Sequence, residues 1–191
     1  MTAKQMVLRY TGVVVLLGWS MSPPAQGGSV LAGTDYLTTS SALFDFGAPI
    51  GPVALIGAFG PGVADTAVTR LDDAILPAIG SSDTVSIQMR MLELRSLAPV
   101  FVGGSFFDVF VHLDPSLFST GTLTITHEFP DNGTPAPEGT FTSSLTVHFV
   151  ADFIPAGPGS AFSVTDTLLL NTPGPLPWSH EPPPGALSVP G

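Results

Sequence analysis

The stretch Gly139-Thr-Phe-Thr-Ser-Ser-Leu-Thr-Val-His-Phe-Val-Ala-Asp-Phe153 alternates apolar and polar side chains along most of its length. A period of two places the apolar side chains on one face of an extended strand and the polar ones on the other. The same alternation recurs at 85–91, 107–113, 122–126 and 162–168, with Gly and Pro between the segments. This pattern predicts an all-β protein: an antiparallel β-sandwich of about 8–10 strands with little helix. A jelly roll is the alternative.

One strand pairing follows from the segment that precedes this stretch. Asp131-Asn132-Gly133 opens a turn-rich segment that ends at Glu138-Gly139, between two alternating strands. Folding this segment back predicts a hairpin whose apolar residues share one face, since register is set where one face is buried. The predicted neighbours are Phe129 with Phe141, Ile125 with Leu145, and Leu123 with Val147.

Helical spacing is visible in one place only. Leu71, Ala74 and Ile75 recur at helical intervals, so the segment Thr69–Ile79 could form one or two helical turns before Pro77. The apolar but Gly- and Pro-rich segment 43–59 predicts short strands and turns instead.

The first 27 residues have the features of an export signal. Lys4 and Arg9 form a positive start, the apolar run Val13–Trp19 follows, and Ala25-Gln26-Gly27 offers small residues for cleavage. The apolar run is shorter than the roughly 20 residues that span a bilayer. The sequence thus predicts a signal peptide at 1–27, a secreted or cell-surface β-sandwich domain at 28–170 and, because prolines crowd the end, an extended tail or linker at 171–191. No transmembrane helix is expected in the mature chain.

Charge excludes one class of partner. Removing the signal leaves three arginines, no lysine and all fifteen carboxylates, a net charge of −12. Binding of a phosphate backbone needs clustered Lys or Arg, so nucleic acid is not an expected partner. Solubility of an acidic secreted domain accounts for the surplus of carboxylates. The thirteen phenylalanines and many Val and Leu residues show that the chain is not a disordered acidic tail.

No catalytic motif is apparent. The chain has no cysteine, which excludes disulfides, thiolate metal sites and cysteine nucleophiles. His112, His127 and His148 lie on three predicted strands, but the predicted hairpin places His127 and His148 on opposite faces, where they cannot share a zinc ion. No Gly-x-Ser-x-Gly elbow is present. Glu93, Glu128 and Asp108 are interpreted as solvent-facing strand residues rather than paired catalytic acids. We therefore predict no catalytic residues and no cofactor.

Two weaker binding hypotheses remain. Asp72, Asp73, Asp131 and Asn132 are the candidate calcium ligands, because they are adjacent oxygen donors in predicted loops, although turn formation explains them equally well. Phe106 and Phe110 are the candidate ligand-binding residues. They lie on the face opposite Val109, where exposed aromatic side chains in a row would favour sugar binding. They could equally form a second apolar side of a central strand.

Four short segments carry a resemblance to a known family. Ala32-Gly-Thr-Asp-Tyr-Leu37, Leu43-Phe-Asp-Phe-Gly47, Asp65-Thr-Ala-Val-Thr-Arg-Leu71 and Gly139-Thr-Phe-Thr-Ser-Ser-Leu145 resemble exported bacterial proteins with a PEP-CTERM sorting tail. The resemblance implies a surface or matrix protein. The terminal Pro-Glu-Pro, apolar helix and basic cluster of that tail are absent from these 191 residues.

Taken together, these features predict a secreted, non-enzymatic structural or adhesive protein whose partners are extracellular matrix, polysaccharide or surface proteins. A carbohydrate- or calcium-binding module and a small secreted hydrolase are the alternatives.

Overall fold

The computed structural model describes residues 28–60, 63–130 and 138–178, and in this part the chain is all-β and contains no helix. The described ranges contain thirteen strands, in chain order: β1 Gly28–Val30, β2 Gly33–Leu37, β3 Ala42–Asp45, β4 Pro52–Gly57, β5 Thr66–Arg70, β6 Ala74–Leu76, β7 Ser82–Ser96, β8 Val100–Val102, β9 Ser105–Leu113, β10 Thr120–His127, β11 Gly139–Pro155, β12 Phe162–Asn171 and β13 Leu176–Trp178. The all-β prediction is confirmed. The predicted number of strands was too low, because strands of three residues are too short to show alternation.

Two long strands, β7 and β11, form the frame of the sheet. β9 and β10 lie end to end between them and pair with both: Val111 is opposite Leu94 and Ala151, and Thr120 is opposite Gln88 and Thr146. Both run antiparallel to the frame strands, so they are one strand interrupted by the loop 114–119. Ser119 continues the hydrogen bonding across this interruption. Its carbonyl oxygen accepts a hydrogen bond from the Met89 N–H (2.9 Å), and its hydroxyl oxygen accepts one from the His148 N–H (2.9 Å).

The remaining strands extend the sheet on both sides of this frame. Beyond β7 lie β5 and β2 at one end and β4 and β3 at the other, while β12 and β13 lie beyond β11. β1 and β6 form a separate two-stranded sheet. All the inter-strand pairings are antiparallel.

The sheet folds over on itself to enclose the core. β3 is four strand positions from β11 through β4, β7 and β9, which in a flat sheet would be about 19 Å. The rings of Phe44 on β3 and Phe149 on β11 are nevertheless 5.1 Å apart. Phe46 likewise meets Phe153 at 5.6 Å. The curled sheet therefore packs as two layers over one apolar core, the sandwich-like arrangement predicted from the alternation.

The predicted hairpin exists, but its register was wrong. β10 and β11 pair antiparallel with Ile125 opposite Phe141 rather than Leu145, and Leu145 lies opposite Gly121. An even shift keeps every side chain on its predicted face, so the face assignment holds. The observed register puts Gly121 where a Cβ atom would lie 2.0 Å from the Ser144 carbonyl oxygen. Close backbone approach thus fixes a register that the apolar pattern leaves open.

Two further expectations are corrected. The segment Thr69–Ile79 is not helical, because it contains the end of β5 and all of β6, where Ala74 and Leu76 are buried and Ile75 is exposed. The helical interpretation arose because Ala74 and Ile75 of this strand lie three and four residues after Leu71. The folded part also extends past residue 170, since β13 pairs with Gly139–Phe141 and Trp178 is buried. Pro177 fits there because β13 is an edge strand that needs no donor on its outer side. Residues 1–27 and 179–191 lie outside the described residues.

Candidate functional site

The β8–β9 hairpin presents aromatic side chains to solvent. Gly103 and Gly104 have φ values of 57° and 94°, the type I′ turn of two-residue hairpins. This turn places Phe101 opposite Phe106, with ring centroids 5.1 Å apart and planes tilted by 57°. Alternation along β9 then puts Phe110 on the same face as Phe106.

We call Phe101, Phe106, Phe110 and Ile154 the aromatic patch. Ile154 belongs to it because it lies opposite Asp108, between the two phenylalanines of β9. The four side chains are between 42 and 59 % exposed. The structure therefore resolves the alternatives for Phe106 and Phe110: they face outward and are not a second side of the core. Phe101 was missed in the sequence, although the Gly103-Gly104 pair is a hairpin signal that would have found it.

An open cleft adjoins the patch at the end of the sheet. It has a volume of about 560 Å³ and lies between the β8–β9 turn and the β11–β12 loop, where the Ala156 N–H donates to the Phe106 carbonyl (2.9 Å). The lining residues are mostly small or apolar: Pro99, Gly104, Ser105, Phe106, Ala156, Gly157 and Pro158. The interior cavity beside Phe44 and Leu168 holds only about 40 Å³. Small-molecule pockets measure about 300–1,000 Å³, a range that includes the open cleft but not this interior cavity.

Charged and polar groups continue the outward face beyond Phe110. Asp152 accepts from the Ser163 hydroxyl (2.6 Å), and its other oxygen is 3.1 Å from Nε2 of His112. Nδ1 of the same imidazole is 2.9 Å from the Leu113 carbonyl oxygen. Both ring nitrogens face acceptors, so the imidazolium form satisfies both contacts.

This environment predicts an altered titration of His112. Burial lowers its pKa, but the Leu113 carbonyl, Asp152 and Glu93 outweigh that effect and raise the pKa above 6.5. The Ser163 hydroxyl and His112 lower the pKa of Asp152 below 3.8. The stabilisation of the fold by protonated His112 is complete below pH 6.5 and is lost as pH rises through the folded-state pKa of His112. The stabilisation of the fold by ionised Asp152 is lost as pH falls below 3.8.

We expect Asp152→Asn to lower the pKa of His112 in an NMR titration, with the His148 ring signals as reference. An unchanged His112 pKa would contradict the contact.

The grouping of Ser163, Asp152 and His112 is not a nucleophilic triad. Acyl transfer requires the imidazole between the hydroxyl and the carboxylate, so that it can take the hydroxyl proton. Here the carboxylate lies between the other two groups, and the serine donates to Asp152. The contacts that this structure gives these three residues thus provide no activated serine.

The candidate metal ligands are not brought together. Asp73 accepts a hydrogen bond from the Ala32 N–H (2.6 Å), which ties the β5–β6 loop to the β1–β2 connection. Asp72 is exposed beside it. Asp131 and Asn132 lie outside the described residues. Within residues 28–60, 63–130 and 138–178, no three His, Asp or Glu side chains are grouped to hold a metal ion. His127 is buried on the inner face near Trp178, whereas His148 reaches Thr167 on the outer face, as the face assignment predicted.

Three buried charged residues occur in the segments that carried the family resemblance. Arg70 is buried, and its guanidinium donates to Asp35 and to the Leu31 carbonyl (Nε–O 3.1 Å). Asp65 accepts from the Thr39 N–H (2.6 Å), the Thr39 hydroxyl (2.7 Å) and the Thr66 hydroxyl (2.9 Å). These contacts tie β2 and the residues that flank it to β5 and the residue before it, which gives these motif residues a structural role.

Comparison with known proteins gives no relative: no protein-family model, no curated protein and no solved structure matches the chain. The resemblance to PEP-CTERM proteins remains a prediction. In the part of the chain that the structure describes, no helix is long and apolar enough to cross a membrane.

Proposed function

We propose that this chain is a secreted, non-enzymatic adhesive protein of the cell surface or extracellular matrix, and that it binds polysaccharide through the aromatic patch. The observation that carries the proposal is the exposure of three phenylalanines on one face of the sheet, beside a cleft of ligand size. Clustered exposed apolar side chains of this kind typically mark a binding surface.

Aromatic faces are suited to the apolar faces of sugar rings. Phe106 and Phe110 are four residues apart on one strand, so their side chains lie roughly 13 Å apart. A single sugar ring cannot contact both side chains at once, whereas a chain of sugars can. The spacing therefore favours a polymer over a monosaccharide.

Neighbouring polar groups indicate the charge of the preferred polymer. Asp108 lies between Phe106 and Phe110, and Asp152 lies opposite Phe110 on β11. Carboxylates accept hydrogen bonds from sugar hydroxyls but repel acidic polymers. Arg95, also opposite Phe110, supplies a donor. A neutral polysaccharide suits this combination better than an acidic one.

The test is binding to insoluble cellulose, insoluble chitin and soluble neutral glucans, measured by pull-down and by affinity electrophoresis. We expect the wild-type chain to be retained by at least one polymer and Phe106→Ala or Phe110→Ala to weaken retention about tenfold, because each removes one stacking surface. Phe129→Ala is the matched control, since Phe129 is equally exposed but lies beyond β10, at the other end of the sheet.

Two results would contradict the proposal. One is that none of these polymers retains the wild-type chain. The other is that Phe129→Ala weakens retention as much as the two patch variants do, which would indicate general hydrophobic adsorption.

A further inference from the structure

We propose that strand β12 pairs with β12 of a second copy of this chain, antiparallel across a two-fold axis at Thr167. β12 runs for ten residues and pairs with β11 without a break in register. In the described ranges no strand pairs with its other edge. That edge carries backbone N–H and C=O groups that a further strand would satisfy.

β12 differs from the other edge strands of the sheet. β2, β3, β8 and β13 have three to five residues, and β13 contains Pro177. Short strands and prolines are the usual protection against pairing between molecules, as are lysines and bulges. β12 is long and contains no proline, lysine or bulge. Its only charge is Asp166, which lies on the inner face opposite Phe149 and is the one protective feature of the strand. On the outer face, Leu169 is 56 % exposed.

Symmetry leaves few registers for this pairing. A two-fold axis perpendicular to a continuous sheet keeps outward side chains outward, so a residue of even number pairs with an even one and an odd with an odd. Two such registers pair all but one of the ten residues, centred on Asp166 or on Thr167. The first places two Asp166 carboxylates directly opposite each other, which is unfavourable. The register centred on Thr167 remains.

This register is also complementary in side chains. It places Thr165 opposite the exposed Leu169 of the other copy on the outer face. On the inner face, Val164 lies opposite Leu170. Branched side chains packed across strands are favourable pairs in antiparallel sheets. The self-complementarity of the strand is what favours a second copy as the occupant over an unrelated protein.

The first test uses the absence of cysteine from the chain. In the proposed register the two Cα atoms of residue 167 lie about 4.5–5.5 Å apart, within disulfide range. Those of residue 165 are offset by four positions along the strand, roughly 13 Å, which a disulfide cannot bridge. We expect Thr167→Cys to form a covalent dimer on mild oxidation and Thr165→Cys, on the same face of the same strand, to remain monomeric on a non-reducing gel.

The second test measures association without a cross-link. Sedimentation velocity should show a monomer–dimer equilibrium for the wild-type chain. Thr167→Lys should raise its dissociation constant at least about tenfold, because two lysines would face each other across the axis. Thr165→Lys should raise it less, and circular dichroism should show both variants folded.

Three outcomes would overturn the proposal: a wild-type chain that stays monomeric throughout the concentration series, equal cross-linking of the two cysteine variants, or equal loss of dimer in the two lysine variants.

Discussion

Arg70→Met should lower the free energy of unfolding by about 3–5 kcal/mol, because it removes one partner of a buried ion pair and leaves the other charged. Arg70 and Asp35 are both buried, and Asp35 Oδ1 already has no hydrogen-bond partner in the described structure. Without the guanidinium, Asp35 Oδ2 and the Leu31 carbonyl also lose their donor. Since a domain is stable by only about 5–15 kcal/mol, this is a large fraction of its stability.

The loss should depend on pH. Burial raises the pKa of Asp35 to about 6, although the charge and hydrogen bond of Arg70 act in the opposite direction. Removing Arg70 raises this pKa further, so the unpaired carboxyl takes up a proton more readily in the folded state. A carboxyl whose folded-state pKa is raised destabilises the fold increasingly as pH rises from its unfolded pKa through its folded one. Urea unfolding should therefore show a larger difference from wild type at pH 8 than at pH 5.

Two controls separate the ion pair from the loss of an arginine. Arg90 is exposed on β7, so Arg90→Met should change stability by no more than about 0.5 kcal/mol. The double variant Arg70→Met with Asp35→Leu replaces both charges by apolar groups and should recover most of the loss. An Arg70→Met variant as stable as Arg90→Met would show that the buried pair does not support the β2–β5 edge.

Phe153→Ala should destabilise the fold by about 3–5 kcal/mol, because it opens a cavity where several strands meet. Phe153 on β11 is fully buried. Its ring stacks on Phe162 of β12 (4.5 Å, 6°) and makes edge contacts with Phe46 (5.6 Å) and Phe107 of β9 (6.3 Å). One side chain thus connects both layers of the curled sheet.

Urea unfolding of matched phenylalanine variants checks this prediction. Phe153→Leu keeps an apolar side chain and should cost less than Phe153→Ala. Phe106→Ala, on the neighbouring strand but exposed, should change stability by no more than about 0.5 kcal/mol. A loss below about 1 kcal/mol for Phe153→Ala would mean that the two layers do not depend on this cluster. The Phe106→Ala variant is also expected to bind polysaccharide more weakly. The two variants therefore distinguish a phenylalanine that stabilises the core from one that serves binding at the surface.

The alternating segments predicted most of the strand faces. Val109, Ile125 and Val147 are buried where the period of two places them, and Phe106 and Phe110 emerge on the opposite face. The prediction succeeded because one-sided burial is a local property of an extended chain. It failed at Thr69–Ile79, where β6 has only three residues, and at Pro177, where the position of a strand within the sheet decides whether a proline is tolerated.

The sequence predicted only part of the candidate site. Phe106 and Phe110 were identifiable from alternation, but their exposure depends on what covers the outer face of β9, which no local pattern records. Phe101 joins them only through the β8–β9 turn. The grouping of His112, Asp152 and Ser163 requires three strands in a particular order and register.

The absence of cysteine, the acidic charge, the all-β class and the apolar side of each long strand follow from the amino-acid sequence, because charge and side-chain period depend only on residues and their neighbours. Tertiary structure alone decided the register of β10 against β11, the end-to-end placement of β9 and β10, and the burial of Arg70 beside Asp35. Those features depend on close approaches between segments far apart in the chain, such as Gly121 against Ser144 and Phe44 against Phe149. The first of these distances is set when β10 and β11 pair, and the second when the sheet curls to enclose its core.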